Sequence, residues 1–441
     1  MIATMTATQF FGFLGLTLLG SIVYADNGMD DAAWESAWSD FEEPAEEKSP
    51  FSYSTNVEAG IGGRVQDDPA IANDAVLAEI RNRWNLFYDK ENFNLTYKAD
   101  LVIDDIDNDD VYHTREANLF YRPARAVEIK LGRQILTWGT GDLVFLNDLF
   151  PKDWQAFFSG RDTRYLKAPS DALKLSFYTE AVNIDLVYTP EFDSDTFIDG
   201  TRISYFSSLA NDYVAAPPRL SPIKRDDTFS DNEIALRLSK TIAGSEYAFY
   251  YYDGFYKSPT GIDADTFEFY FPELQVLGAS FRTSVMGGIA NIEVADYRSK
   301  EDRPGNNPYI PNDQQRLLVG YETEVITNFT VAFQYYLELT KDYDALIDNS
   351  PAEDFEPEEY RHLLTNRLTY SALNGNLIYS LFSFYSPSDE DGYLRPSLNY
   401  RFSDQLHFDV GGNYFFGEGK HTFFSRFENN SNLYTRVKYF F

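Results

Sequence analysis

Leu433-Tyr434-Thr435-Arg436-Val437-Lys438-Tyr439-Phe440-Phe441 is the last stretch of the chain. In an extended strand successive side chains point to opposite sides, so Leu433, Thr435, Val437, Tyr439 and Phe441 share one face while Arg436 and Lys438 lie on the other. An apolar row that ends in aromatics and is backed by cations suits a strand with hydrocarbon on one side and water on the other. A soluble protein seldom ends this way.

The same alternation recurs upstream from about Phe51. Phe93, Leu95, Tyr97, Ala99 and Leu101 form an apolar face opposite Thr96, Lys98 and Asp100. Val127, Ile129 and Leu131 oppose Glu128 and Lys130, and Val331, Phe333, Tyr335, Leu337 and Leu339 oppose Gln334 and Glu338. Leu394, Leu398, Tyr400 and Phe402 oppose Arg395, Asn399 and Arg401. Short joints fall near 89–91, at Pro123-Ala124, at Glu180-Ala181, near Gly244, at Gly287-Gly288, at Thr327-Asn328, near Asn374 and at Ser403-Asp404. Between them lie long joints, at about 67–74, 105–111, 139–171, 191–230, 257–274, 300–313, 342–359, 387–391 and 418–430. The pattern predicts an all-β chain: a transmembrane antiparallel β-barrel of about 18 strands, or 16 if one hairpin is misread, with short periplasmic turns and long extracellular loops. Its final strand resembles the C-terminal recognition signal of outer-membrane barrels. That resemblance implies the lipid bilayer, lipopolysaccharide and the barrel-assembly machinery as partners.

Composition agrees. Tyr (32) and Phe (37) are abundant, yet after the N-terminal segment no apolar run approaches the roughly 18 residues a helical span needs, whereas a strand crosses in about 10. There is no cysteine, which removes disulfides and thiolate metal sites. A net charge of −32 argues against a nucleic-acid partner, because phosphate contacts need clustered Lys and Arg. The acid is localised: residues 26–50 hold nine Asp and Glu, and 342–359 hold eight with no base. Such runs read first as solvated surface that prevents aggregation.

At the N-terminus, Phe10 to Tyr24 is an apolar core followed by Val23-Tyr24-Ala25, so residues 1–25 read as a signal peptide cleaved after Ala25. No Lys or Arg precedes that core, a departure from the usual basic leader. Residues 26–50 are then an acidic periplasmic segment, in which Trp34, Trp38 and Phe41 share a helical face, and 51–441 form the barrel.

Parity places a nearly balanced set of charges on the inner wall. Arg81, Arg83, Lys98, Glu116, Arg122, Glu128, Lys130, Arg395, Arg401 and Arg436 are the candidate pore-lining residues, with Lys174, Arg237, Glu233, Glu293 and Glu322 among other inward charges. The consequence expected is a polar, charged lumen with anion-favouring or mixed selectivity. The 139–171 connection is unusually apolar, with Leu143, Val144, Phe145, Leu146, Leu149, Phe150, Trp154, Phe157 and Phe158. Burying such side chains is worth about 1.5–3 kcal/mol each, which predicts that the loop folds into the barrel and narrows or plugs it. Trp154, Phe157, Phe158, Arg161 and Arg164 are the candidate constriction residues, and loop 191–230 is expected to join them.

Gly132-Arg133-Gln134 with Trp138-Gly139, the long loop carrying Arg161, Arg164 and Lys167, and Leu277-Gly278-Ala279-Ser280-Phe281 resemble an uncharacterised family of Gram-negative outer-membrane proteins. Its members look like porins, and some are encoded beside exporters of the resistance-nodulation-division type. The resemblance implies outer-membrane transport of small, lipidic or hydrophobic solutes, alone or with a periplasmic transport partner. The acidic segment and loops depart from it.

Asp105, Asp107, Asp109 and Glu116 imitate calcium-loop spacing, but Asp110 stands where the turn needs Gly and the flanks read as strands. No metal or cofactor is expected. Only four histidines exist, His113, His362, His407 and His421; no Ser–His spacing stands out, and Asp109 and Asp110 near His113 share only proximity in sequence, so no enzymatic activity is expected.

Overall fold

The computed structural model describes residues 49–107 and 112–441. The signal segment, nearly all of the acidic segment, and Asp109 and Asp110 of the calcium-like spacing lie outside the described residues.

Residues Phe51–Phe440 fold as one closed antiparallel β-barrel of 18 strands. In chain order these are β1 (Phe51–Arg64), β2 (Ala75–Asp89), β3 (Phe93–Asp104), β4 (Tyr112–Ala124), β5 (Val127–Ile135), β6 (Pro169–Tyr178), β7 (Asn183–Thr189), β8 (Glu233–Ile242) and β9 (Ser245–Phe255). The second half comprises β10 (Glu273–Val285), β11 (Gly288–Ser299), β12 (Gln314–Ile326), β13 (Phe329–Thr340), β14 (Tyr360–Ala372), β15 (Leu377–Ser386), β16 (Asp391–Arg401), β17 (Leu406–Gly417) and β18 (Asn432–Phe440). Each strand pairs with the next, and β18 returns to β1 from Asn56↔Phe440 to Arg64↔Asn432, which closes the ring. The strand number and the alternation of short and long connections are those the sequence predicts.

Outward rows such as Leu95, Tyr97 and Ile103 on β3, or Val319 on β12 and Phe333 on β13, are exposed apolar side chains, as a lipid-facing wall requires. The structure adds local order inside the long connections. Tyr205–Ser207 pairs with Asp212–Val214, and Gly261–Ile262 with Phe269–Tyr270. The acidic 342–359 connection, read as solvated surface, holds a short helix, Tyr343–Asn349. The apolar loop runs from 136 to 168 rather than 139 to 171, because β5 ends at Ile135 and β6 pairs with it from Pro169. No described helix is long and apolar enough to cross a membrane.

Candidate functional site in the barrel lumen

Loop 136–168 enters the barrel and crosses it. Trp138 packs edge-on to Phe150 and beside Tyr250 of β9. Gly139, at φ +80°, brings the chain against Glu293 of β11. One Glu293 carboxylate oxygen accepts from the Thr140 and Gly141 backbone N–H groups, and the other accepts from the Asn147 amide at 2.8 Å. Tyr297 donates to the Leu146 carbonyl at 2.6 Å, and the Asp142 carboxylate meets Arg367 of β14 at 2.9 Å.

The chain then forms a short helix, α1 (Trp154–Ser159), whose N-cap Asp153 accepts from Ala156 N–H and whose C-cap Gly160 is left-handed. Phe157 and Phe158 of α1 pack on Tyr393, and Phe158 also on Phe415 and Phe427. The Phe158 carbonyl accepts from the Asn413 and Asn432 amides at 2.9 and 3.1 Å.

Past α1 the chain reaches the far wall. Arg161 meets Glu79 and Asp104 at 2.8 and 3.1 Å. Asp162 pairs with Lys438 of β18 and lies 3.9 Å from Arg436, and Thr163 accepts from Arg395 at 3.2 Å. The Tyr165 ring lies within cation–π reach of Arg81, Arg83 and Arg115. Glu293 on β11 and Arg81 on β2 are nine strands apart in an 18-strand ring, so the loop is tied to diametrically opposed walls.

Two further connections complete the filling. Asp195 accepts from Lys152 N–H at 2.7 Å and from the Trp154 indole at 3.1 Å, and Arg202 pairs with Asp104. Phe424 and Phe427, from the connection between β17 and β18, join the aromatic cluster around Tyr393. As a result inner-face residues in the extracellular half are buried all round the ring, among them Val102, Gln134, Val187, Val276, Leu318 and Tyr393. The expectation of a charged lumen is therefore refined for this half: its charges, among them Arg81, Asp100 and Glu293, are buried against one another or the loop. Its inner face also carries Tyr250, Tyr297, Tyr336, Phe384, Tyr393 and Phe415, and for Tyr250 and Phe384 inward parity is invisible because their strands are apolar on both faces.

The periplasmic half is different. Lys98 pairs with Glu116 at 2.7 Å, and Lys130 reaches the same carboxylate at 3.8 Å. Lys174, the register partner of Lys130, pairs with Asp185, as does Arg237, which also binds Glu246. The basic side chains here keep roughly a fifth to a third of their surface exposed, for example 31 % at Lys98 and 29 % at Lys130.

Each predicted residue can now be placed. Lys98, Glu116 and Lys130 form one cluster; Arg122 and Glu128 pair at the periplasmic end; Arg401 is exposed beside its register partner His407. Arg81 and Arg83 are buried against Asp100, and Arg436 against Asp409 at 3.1 Å. Arg395 lies under the loop, its guanidinium 4.5 Å from the centre of the Phe157 ring. Trp154, Phe157, Phe158 and Arg161 lie inside the barrel, while Arg164 is half-exposed and pairs with Asp162 at 2.9 Å. Glu116, part of the calcium-like spacing, is engaged by two lysines. Sequence reasoning missed Asn147, Tyr165, Phe424 and Phe427, and it gave Glu293 no special role.

Electrostatics at the loop follow from these neighbours. Burial pushes the Asp162 carboxyl up, but Lys438, Arg164 and Arg436 outweigh it and hold the group below the usual carboxylate range. Burial wins at Asp195, whose carboxyl is raised despite its hydrogen bonds.

The glycine positions explain the short motifs. A side chain at Gly278 would land on the Asn147 amide oxygen, and one at Gly132, where φ is +110°, on the Ala117 carbonyl. Gln134 is fully buried and donates to the Ala172 carbonyl at 2.8 Å. Gly278 is thus a dock for the loop through Asn147, whereas Gly132 and Gln134 serve the pairing of β5 with β4 and β6.

No family model and no curated protein matches this chain. Solved structures do. Acinetobacter baumannii OccAB4 is similar at TM-score 0.54 and 8% identity, over 89% of this chain and 98% of that one. Pseudomonas aeruginosa OccK5 is similar at 0.52 and 10% over 88% and 97%, and OccK11 of the same organism at 0.51 and 12% over 88% and 95%. These are outer-membrane barrels, and at such identities the likeness shows the fold alone, a closed antiparallel β-barrel of the outer-membrane kind.

Proposed function

We propose that the protein is an outer-membrane channel held closed by loop 136–168, which passes small or apolar solutes when that loop moves aside. The observation that carries this reading is the loop's anchoring on opposite walls, with the extracellular half of the lumen packed around it. The periplasmic half, lined by charges that keep solvent contact, serves as a vestibule, and Lys98, Lys130 and Arg401 are its cationic lining. A barrel of this size is wide enough for an aqueous path once its loop is withdrawn.

The test is single-channel recording in planar bilayers. Wild type is expected to stay closed for most of the record, and Glu293→Ala to open in resolved steps. Silence in both, with the barrel folded, would contradict the channel. A second reading is favoured by the aromatic lumen: a non-conducting barrel that passes an apolar ligand to a periplasmic or inner-membrane lipid-transport apparatus. Lipid or a periplasmic protein that co-purifies with a silent barrel would support it. Lipopolysaccharide and the barrel-assembly machinery remain proposed partners on the strength of the terminal strand.

A further inference from the structure

The wall is not equally tall all the way round. β2 has 15 residues and β7 only seven. Between β12 and β13 the ladder runs from Gln314↔Thr340 to Ile326↔Phe329, but between β6 and β7 it runs only from Leu173↔Tyr188 to Tyr178↔Asn183. Residues Pro169, Ser170, Asp171 and Ala172 of β6 therefore pair with β5 on one side and with no strand on the other. This notch has finished edges. Pro169 has no N–H to leave unpaired, and the Asp171 N–H is capped by the Asp193 carboxylate at 3.1 Å. Bare backbone donors are not tolerated at membrane depth, so an edge closed in this way can stand beside lipid without a partner strand.

The apolar belt on the outer surface shortens at the same place. On β3 outward apolar residues run from Phe93 to Ile103, ten steps or about 26 Å of height at a tilt near 40°, which matches the roughly 25 Å hydrocarbon band. On β6 the unbroken row is Leu173, Leu175 and Phe177, and on β5 Val127, Ile129 and Leu131, with Pro169 and Ile135 as the last outward pair at the rim. The next outward pair is the ion pair of Arg133 and Asp171 at 2.8 Å. The span from Leu173 to Phe177 is four steps, about 10 Å of height, so the outer leaflet meets a charged rim and a notch where elsewhere it meets strand.

Behind the notch lies the aromatic filling. The stretch that leads into β6 is paired with residues 151–153, through Ala168 N–H to the Pro151 carbonyl and Asp153 N–H to the Leu166 carbonyl. Trp154 follows directly, packed edge-on to Phe145 and Phe157. Its indole is bonded to Asp195, two residues from the Asp193 that caps the edge.

We propose that the β6–β7 notch is a lateral portal through which an apolar, membrane-partitioning molecule passes between the aromatic interior and the outer leaflet. The portal rests on the channel reading for its cargo and on strand register for its position. Movement of loop 190–196 would open it without breaking a pair between barrel strands, giving up the Asp153–Thr196 bridge and the Asp195 hydrogen bonds.

The cysteine-free chain allows a direct test. Single substitutions Ala172→Cys, at the notch, and Ala295→Cys, on the inner face of β11 behind an unbroken wall, start from equally small and buried side chains. Each full-length protein is reconstituted in vesicles and reacted with N-(1-pyrenyl)maleimide dissolved in the bilayer, and separately with a sulfonated, membrane-impermeant maleimide in the water. The portal predicts that the lipid-borne reagent modifies Ala172→Cys at least ten-fold faster than Ala295→Cys, and that the aqueous reagent shows no such preference. Equal rates from lipid, a preference only from water, or no labelling at Ala172→Cys would each overturn it. Those outcomes leave the conductance of Glu293→Ala unaffected, so the portal and the channel fail separately.

Discussion

The extracellular and periplasmic halves of the lumen are built from the same strands, yet their inner faces meet different things. Above, Val276, Leu318, Tyr393 and Phe415 meet the loop and lose all contact with water. Below, Lys98, Glu116, Lys130 and Lys174 meet one another and keep part of their hydration. A barrel wall has no core of its own, because its apolar face is turned to lipid. Here loop 136–168 supplies one: Phe157 and Phe158 alone bring about 1.5–3 kcal/mol each, and polar anchors at both ends fix where that core sits. The upper half behaves as protein interior and the lower half as lined solvent.

Substitutions should separate the halves. The largest effect is expected from Glu293→Ala, which strands the Thr140, Gly141 and Asn147 donors at about 1–3 kcal/mol apiece while they stay buried. The loop should relieve that cost by leaving the wall, seen as protease cleavage within 143–158 of a barrel that still resists digestion. Gly278→Leu comes next, since its side chain displaces the Asn147 amide, at about 1–3 kcal/mol of overpacking. Its open-channel steps should match those of Glu293→Ala.

Asp162→Asn acts at the opposite wall. The Asp162 carboxyl titrates below its unfolded value, so the anchoring it supplies is complete above the ordinary carboxylate range and is lost as pH falls through the depressed value. Acidification should loosen the wild-type loop, measured by Trp154 fluorescence, whereas Asp162→Asn should be looser at neutral pH and lack that acid step. The smallest effect belongs to the lower half. Lys130→Ala should change stability by less than about 0.5 kcal/mol and be visible only as a shift in reversal potential toward cations in an open variant.

Most of the wall was legible in the sequence. Alternation in strands such as Phe93 to Leu101, together with the rhythm of short and long joints, carries the strand number, because the period of two and the lipid-facing belt are local properties. The loop's entry into the barrel was legible for a similar reason: nine large apolar residues between 143 and 158 could not remain in water. What holds it there was not. Glu293 and Asn147 are 146 residues apart, and nothing in either neighbourhood marks them as partners. The aromatic inner face of β15 was also hidden, since Phe382 and Phe384 lie in a strand that is apolar on both sides. Gly278 carried a readable signal, a glycine inside a strand, whose meaning as a space for a side chain from elsewhere needed the fold.

The most direct measurement of loop closure compares wild type with a chain lacking residues 143–158 in planar bilayers, after both are shown to be folded by circular dichroism. Closure by the loop predicts a mostly silent wild type and a deletion that conducts steadily with large, uniform steps. Equal conductance in the two, or a folded deletion that stays silent, would contradict it.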